Sequence, residues 1–330
     1  THINPLTMKL SFCGLFALLA GSAVTDAWVP SSPGRSISTT ALMASKGSKK
    51  WQRKKEWLAK RGFSEEDDAP VGVADASAGR TMTIVGAGRI GGLLAEGGES
   101  VVVGREDSID ADGSGPILVT TRNDVLGDIV DKCPENRRKD LVFMQNGYLD
   151  DFLQSKGLID NTQVLLFLAV TAKGADPIDG VTKVNPEGLT AATGEHAQAF
   201  ADRLAALKLK CNVIVPDEYR PAMFEKLIWI STYMLVGTAK ECASVGQAGA
   251  DHKELVEGVI TELVAAVSAK EGISFQDGVV ERLASYTEVV TAFPCGVKEF
   301  EWRNEYFYKL GDEACPTHNG LLKECAEKGF

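Results

Sequence analysis

The chain has 330 residues, 44% hydrophobic and 24% charged, the composition of an ordinary globular protein with enough length for two domains. Its net charge of −10 is unevenly spread: residues 1–63 hold ten Lys or Arg against two acids, leaving 25 basic and 43 acidic side chains for the rest, and so acidic a body excludes nucleic acid as the expected partner. The seven cysteines (13, 133, 211, 242, 295, 315 and 325) are scattered with no CxxC and no metal-like His/Cys spacing, which reads as reduced thiols and no metal site.

At the N-terminal end, Met8-Lys9 precedes an apolar run over residues 10–24 that reads as a signal sequence beginning at Met8. At about fifteen residues the run is short for a bilayer span, so no stable membrane insertion of the mature protein is expected. A small-residue site follows at Ala23-Val24-Thr25-Asp26-Ala27, and Trp28-Val29-Pro30 then heads a segment rich in Ser, Thr, Lys and Arg. This arrangement resembles the bipartite presequences of algae with secondary plastids, in which an aromatic residue heads a basic transit peptide. The resemblance implies delivery to the plastid stroma, in keeping with reduced cysteines. A plain secretory signal followed by a basic linker would instead place the protein in the endomembrane lumen or outside the cell. Residues 46–61, with Trp51 and Trp57 among cations, fit a basic amphipathic helix, but a removable transit segment accounts for the same charge. The expected division is a signal-like segment at 1–27, a transit-like segment at 28–63, a linker at 64–80, a nucleotide-binding domain at 81–218 and a helical domain at 219–330.

Residues 82–105 are the stretch around which the rest of the chain is organised. Thr83-Ile84-Val85 suits a buried strand, Gly86-Ala87-Gly88-Arg89-Ile90-Gly91 a nucleotide-cradling turn, and Val101-Val102-Val103 a second strand. Gly86 permits the tight turn, Gly88 lets backbone approach a pyrophosphate, and Gly91 lets the next helix pack closely. Arg89 and Ile90 lie within that cradle, with the phosphates expected at the helix N-terminus. Arg105 comes after the second strand, where an NAD site usually carries an acid, which points to a 2′-phosphate and hence to NADP(H). The helix between the strands has room for little more than two turns, short for a βαβ crossover.

Further strands are expected at 116–121, 141–144, 164–170 and 211–215, with helices at 125–132 and 194–207; from about Tyr219 the pattern turns to helices at 221–236, 253–270, 278–291 and 297–310. Arg122 and Gln145-Asn146-Gly147 fall at strand ends, where open α/β sheets bind ligands. The fold class is therefore α/β, a mostly parallel Rossmann-type sheet, shortened, followed by an all-α domain.

Lys226 begins a run with no other charge until Lys240. Desolvation there would lower its pKa towards that of a useful general acid; equally, its stem could lie on the core with its head in water or against an acid. Glu299 and Arg303 stand four apart, which by itself describes a surface ion pair.

The order of motifs resembles the ketopantoate reductase family over residues 81–322. Gly86-Ala87-Gly88-Arg89-Ile90-Gly91 with the downstream Val103-Gly104-Arg105 resembles its nucleotide motif. Arg122 stands where the family has a strand-end lysine near the cofactor, and Gln145-Asn146-Gly147 resembles its QNG, whose asparagine lines the active site. Glu225-Lys226-Leu227 resembles the segment carrying the catalytic lysine, Ser285 the substrate-binding serine, and Lys298-Glu299-Phe300-Glu301 the segment whose glutamate assists that lysine. Pro316-Thr317-His318-Asn319 resembles its closing Thr-Pro-x-Asn. The resemblance implies an NADPH-dependent reductase of a small oxoacid: Lys226 and Glu299 catalytic; Gly86, Gly88, Arg89, Ile90, Gly91, Arg105, Arg122 and Asn146 at the cofactor; Asn146 and Ser285 at the substrate. Arg303, in the same helical domain, is a further candidate to hold a substrate carboxylate, or equally a structural member of the i,i+4 pair. A homodimer is open. Two departures stand out. Ile230 and Met234 replace the asparagines that follow the family's lysine, which points to a substrate with an apolar tail, and the interval 105–117 has no room for a normal third strand and crossover. A non-catalytic NADP(H)-binding or assembly protein retaining the fold is the alternative.

Overall fold

The computed structural model describes residues 81–330; the signal, transit and linker expectations for residues 1–80 lie outside the described residues. The first β-branched run forms β1 (Met82–Val85), buried along its whole length, with β2 (Ser100–Val103) parallel on one side and β3 (Ile117–Val119) parallel on the other. Between β1 and β2 the chain makes only the eight-residue α1 (Arg89–Glu96), as its spacing predicts. The short return is held by Arg203, whose guanidinium donates to the carbonyls of Leu94, Gly98 and Glu99 at 3.2, 2.6 and 2.6 Å. The Leu94 oxygen, at the clipped helix end, also accepts from the Gly97 N–H, and those of Gly98 and Glu99 belong to the tight turn that follows.

After β3 come α2 (Leu126–Lys132), β4 (Leu141–Phe143), α3 (Asp150–Ser155) and β5 (Gln163–Leu165). The strand expected over 164–170 is split. The Phe167 N–H donates to the Thr190 hydroxyl at 3.0 Å, and β6 (Leu168–Ala169) turns away to pair antiparallel with β7 (Ile178–Asp179) in a separate ribbon. The chain rejoins the main sheet with β8 (Ala191–Thr193), crosses on α4 (Ala197–Ala206) and adds β9 (Asn212–Val213). The seven strands run in the order β2-β1-β3-β4-β5-β8-β9, parallel except where β8 meets β5.

Alternation along the strands sends side chains to two apolar layers. Ile84, Leu118 and Val142 meet Leu93 and Leu94 of α1 and Phe200 and Leu204 of α4; Val85, Val119 and Phe143 meet Leu126 and Val130 of α2 and Leu153 of α3. Where a longer Rossmann sheet would continue beyond β2, this one has no further strand among the described residues. Val101 and Val102 are exposed, and residues 104–116 form a loop in place of a strand and crossover. Arg137 substitutes for the lost pairing: it is 3% exposed, pairs with Asp140 at 2.7 Å and donates to the carbonyls of Asp110 and Gly115, each at 2.9 Å.

The helical part starts with α5 (Pro216–Trp229), several residues before the sequence pattern suggests, because proline is well placed in a first helical turn. A π-helical turn, Ile230–Met234, continues it into α6 (Leu235–Ala239), followed by α7 (Val245–Asp251), α8 (Lys253–Glu271) and α9 (Val279–Val289). The single helix expected over 297–310 is two, α10 (Phe300–Arg303) and α11 (Glu305–Leu310), before the closing α12 (Pro316–Glu327). Glu299, left-handed at φ 49°, sets where α10 begins, and buried Asn304, hydrogen-bonded to His318 at 3.1 Å, marks the break after it. Among the described residues no helix is long and apolar enough to cross a membrane.

Candidate active site between the sheet edge and the helical core

The glycine turn leaves β1 at its C-terminal end. Gly86 has φ +106°, a region that side chains disfavour, and its N–H donates to the Val103 carbonyl at 2.9 Å, tying the turn to β2. A Cβ on Gly91 would lie 1.9 Å from the Gly86 carbonyl, so helix and turn close on each other only with glycine there. Gly88 is different: a Cβ there would meet nothing within 4 Å. The protein itself does not demand glycine at 88, whereas a phosphate approaching the backbone would. The N–H groups that open α1 face that space. The cradle therefore fits a dinucleotide's pyrophosphate.

The side chains of the turn have other duties. Ile90 packs against the apolar layer under α1, which leaves its main chain for a ligand. Arg89 donates to the carbonyls of Val170 and Thr171 at 2.9 and 3.2 Å, fastening the β6–β7 ribbon beside the turn. Arg105, after β2, and Arg122, after β3, flank β1 from either side and are exposed. Arg122 is engaged by both carboxylate oxygens of Asp124, so Arg105 is the freer of the two guanidinium groups. Asp124 also feels the charge of Arg105, which helps hold its carboxyl below the usual range after the hydrogen bond from Arg122.

Asn146 sits at the end of β4 and is exposed; its carbonyl accepts from the buried Asn123 amide at 3.0 Å. Gln145 fixes the same turn by donating to the Val119 and Thr121 carbonyls at 2.8 and 3.2 Å. Gly147 has φ +123°, and a Cβ there would come within 2.3 Å of the Trp302 carbonyl; the next residue, Tyr148, donates its N–H to that oxygen at 2.7 Å. The QNG turn is thus bolted to α10, the short helix that carries Arg303.

Lys226 projects from α5 into the space beside this turn. A small cleft there, with about 20 Å³ of internal space, is lined by Gln145, Asn146, Tyr219, Met223 and Lys226, among others. The lysine is 7% exposed, donates to the Leu166 carbonyl at 2.5 Å and stands 5.0 Å from the centre of the Phe167 ring. Burial, with a smaller push from the positive charge of Arg303, brings its pKa down to about 7. No carboxylate among the described residues pairs with it.

The expected Lys226–Glu299 partnership does not form. Arg303 instead donates from Nη2 to Glu299 Oε2 at 2.5 Å, Glu299 standing in a left-handed conformation at the start of the same short helix α10. Ile230 and Met234, expected to line the substrate pocket, belong to the helical core, Ile230 at 4% exposure and Met234 packed against it. The π turn adds a residue to the coil, and Ser231 is brought to the Arg303 carbonyl, its hydroxyl donating at 3.2 Å. Ser285 is buried on α9 beside Tyr286, whose ring meets Phe167 at 4.8 Å, and its hydroxyl makes no hydrogen bond among the described residues. Sequence reasoning missed Leu166, Phe167, Asn123 and Ser231. No local signal marks them, since each acquires its position from tertiary packing. No cluster of metal-ligating side chains occurs among the described residues.

No protein-family model matches the chain, and no curated protein sequence does. Solved structures do. A 2-dehydropantoate 2-reductase from Geobacter metallireducens is 17% identical and superposes with a TM-score of 0.57, over 75% of this chain and 99% of that one. A ketopantoate reductase from Ralstonia eutropha is 16% identical, with a TM-score of 0.53 over 76% of this chain and 100% of that one. D-mandelate dehydrogenase in complex with NADH is also 16% identical, with a TM-score of 0.52 over 75% and 98%. The glycine turn, the parallel sheet and the helical half around Lys226 together have the fold of the ketopantoate reductases.

Proposed function

We propose that the protein is a nicotinamide-dependent reductase of a small oxoacid in which Lys226 delivers the proton. The observation that carries this reading is a buried ammonium with no counter-ion among the described residues, its pKa brought down to about 7, next to the strand ends where a parallel sheet binds nucleotides. A bound nicotinamide would supply the hydride. Lys226, held by the Leu166 carbonyl, would place its proton at the oxygen of the substrate carbonyl and neutralise the charge developing there. Asn146 and Ser285 are the polar groups proposed to orient that carbonyl and its neighbours. Gly86, Gly88 and Gly91, with the N–H groups of Arg89 and Ile90, would hold the pyrophosphate, and the closed packing around Phe167 and Trp229 would keep water from the reacting atoms.

NADP(H) is the proposed form of the cofactor, supported by Arg105 and, once Asp124 yields it, Arg122. The proposed location is the plastid stroma, on the strength of residues 8–63. The decisive experiment is a panel of 2-oxo and 3-oxo acids with saturating NADPH and with NADH, run beside Lys226→Ala. Turnover by the parent protein that falls at least a hundredfold in the variant, with nucleotide binding retained, is the expected result. Nucleotide binding without turnover of any oxoacid would instead favour a non-catalytic binding protein on this fold.

A further inference from the structure

Resting on the oxoacid reading, we propose that Arg303 is the anchor for the substrate's carboxylate and that Glu299 occupies it as an internal stand-in, leaving when substrate arrives. The first ground is an unfinished hydrogen-bond pattern. A guanidinium offers a carboxylate two parallel N–H donors along one edge, and the bidentate fit is the strong one. Glu299 accepts from Nη2 alone, while Arg303 Nε is buried without a partner among the described residues. A buried donor left unmade is costly, and a carboxylate landing squarely on the Nε–Nη2 edge would satisfy both.

The second ground is that the occupant is the more exposed partner of the pair. Its side chain keeps 29% exposure against 15% for Arg303, so the carboxylate has somewhere to go and the guanidinium does not. Once released it has a second cation within electrostatic reach, since its charge acts on Arg122 at the end of β3.

The third ground is placement. Ser231, five residues beyond Lys226 on the same continuous coil, hydrogen-bonds the Arg303 carbonyl, and the charge of Arg303 is felt at the Lys226 ammonium. Two cations tied together in this way suit a molecule that carries both a carboxylate and a carbonyl, as an oxoacid does.

The test uses oxamate, a non-reducible analogue of a 2-oxo acid, titrated into the full chain with saturating NADPH, with ethyl oxamate as the uncharged control. Parent, Glu299→Gln, Arg303→Met and Arg303→Lys proteins are compared, each first shown to bind NADPH. Removing the stand-in should tighten oxamate binding several-fold in Glu299→Gln. Arg303→Met should weaken it by about a hundredfold and Arg303→Lys by about tenfold, the lysine keeping charge but losing the fork. Ethyl oxamate should bind the four proteins alike. Weaker or unchanged oxamate binding in Glu299→Gln, or unchanged binding in the soluble member of the Arg303 pair, would overturn the exchange while leaving the reductase reading intact. A parent protein that binds NADPH but no oxamate would overturn both.

Discussion

Lys226 gives its hydrogen bond to the main-chain oxygen of Leu166, 2.5 Å away, and to no carboxylate among the described residues. A carbonyl can orient an ammonium without neutralising it, so the lysine bears its burial cost unaided and its pKa falls to about 7. In the reducing direction the charged form is the reactive one. Turnover should therefore be flat at low pH and decline as pH rises through about 7, with oxidation of the hydroxyacid rising over the same range. A pH profile of kcat in each direction checks this; parallel profiles would remove Lys226 from the role.

The same shift has a consequence for stability. Below about pH 7 the lysine is charged in both folded and unfolded states, and the folded state carries the full desolvation penalty. Between about 7 and the ordinary value of 10.5 the folded lysine is neutral while the unfolded one still holds its proton, so stability should rise with pH across that window. Lys226→Met should raise the denaturation midpoint at pH 6 and lose this slope. Urea titrations at pH 6, 8 and 10 measure both effects.

Two glycines of one turn should respond in opposite ways. Alanine at 91 would place a methyl group 1.9 Å from the Gly86 carbonyl, and separating helix from turn should cost several kcal/mol, of the order seen for overpacked cores. Alanine at 88 meets nothing in the protein and its backbone, φ −72°, accepts any residue, so Gly88→Ala should melt like the parent yet bind dinucleotide at least tenfold more weakly. Thermal melts paired with fluorescence titration of NADPH distinguish the two. Equal nucleotide affinity in Gly88→Ala would mean that no phosphate passes there.

The contrast between these glycines shows how far the sequence can be read. The β-branched runs of β1 and β2 and the glycines between them announce themselves, because strand and turn chemistry is local. The isolated charge of Lys226 in an apolar run raises the question of its burial, but the run fits a head in water equally well, and only the packing around Leu166 and Phe167 decides it. What could not be read depends on distant contacts. Ala191-Ala192-Thr193 has no strand signal, yet forms β8 because β5 and β9 lie on either side of it. The spacing of Glu299 and Arg303 shows that they can meet, but not that the carboxylate would go to Arg303 rather than to Lys226. The π turn likewise leaves no mark in a 3.6-residue pattern, so the pattern favours Ile230 and Met234 and passes over Ser231.

Arg137 should matter more to stability than any surface ion pair. Its three bonded nitrogens hold Asp140 and two carbonyls of the 104–116 loop in a buried setting, and Asp140 is itself within 3.3 Å of His196. Arg137→Ala would strand a buried carboxylate and release the loop that replaces a strand, at a cost of about 3–5 kcal/mol. Asp140→Asn with Arg137→Met should recover part of that loss, because both charges leave together. Denaturant midpoints of the single and double variants check this, and hydrogen exchange over residues 104–116 should report the loop's release.

Cofactor preference should be adjustable at Asp124, a residue in the way of the ligand. Both its oxygens engage Arg122, and its carboxylate lies within the field of Arg105, so it competes for the cations that a 2′-phosphate needs and repels the phosphate itself. Arg105→Ala should weaken NADPH by about tenfold and leave NADH nearly unchanged, since only the former carries the extra dianion. Asp124→Asn should do the reverse, freeing Arg122 and tightening NADPH while hardly altering NADH. Because all three side chains are exposed, the discrimination should shrink as ionic strength rises from about 0.01 to about 0.5 M, whereas a preference set by shape would persist. Titration of both cofactors across that salt range, in parent and variants, separates the two origins. An NADH affinity that follows NADPH through every substitution would place the adenosine ribose elsewhere.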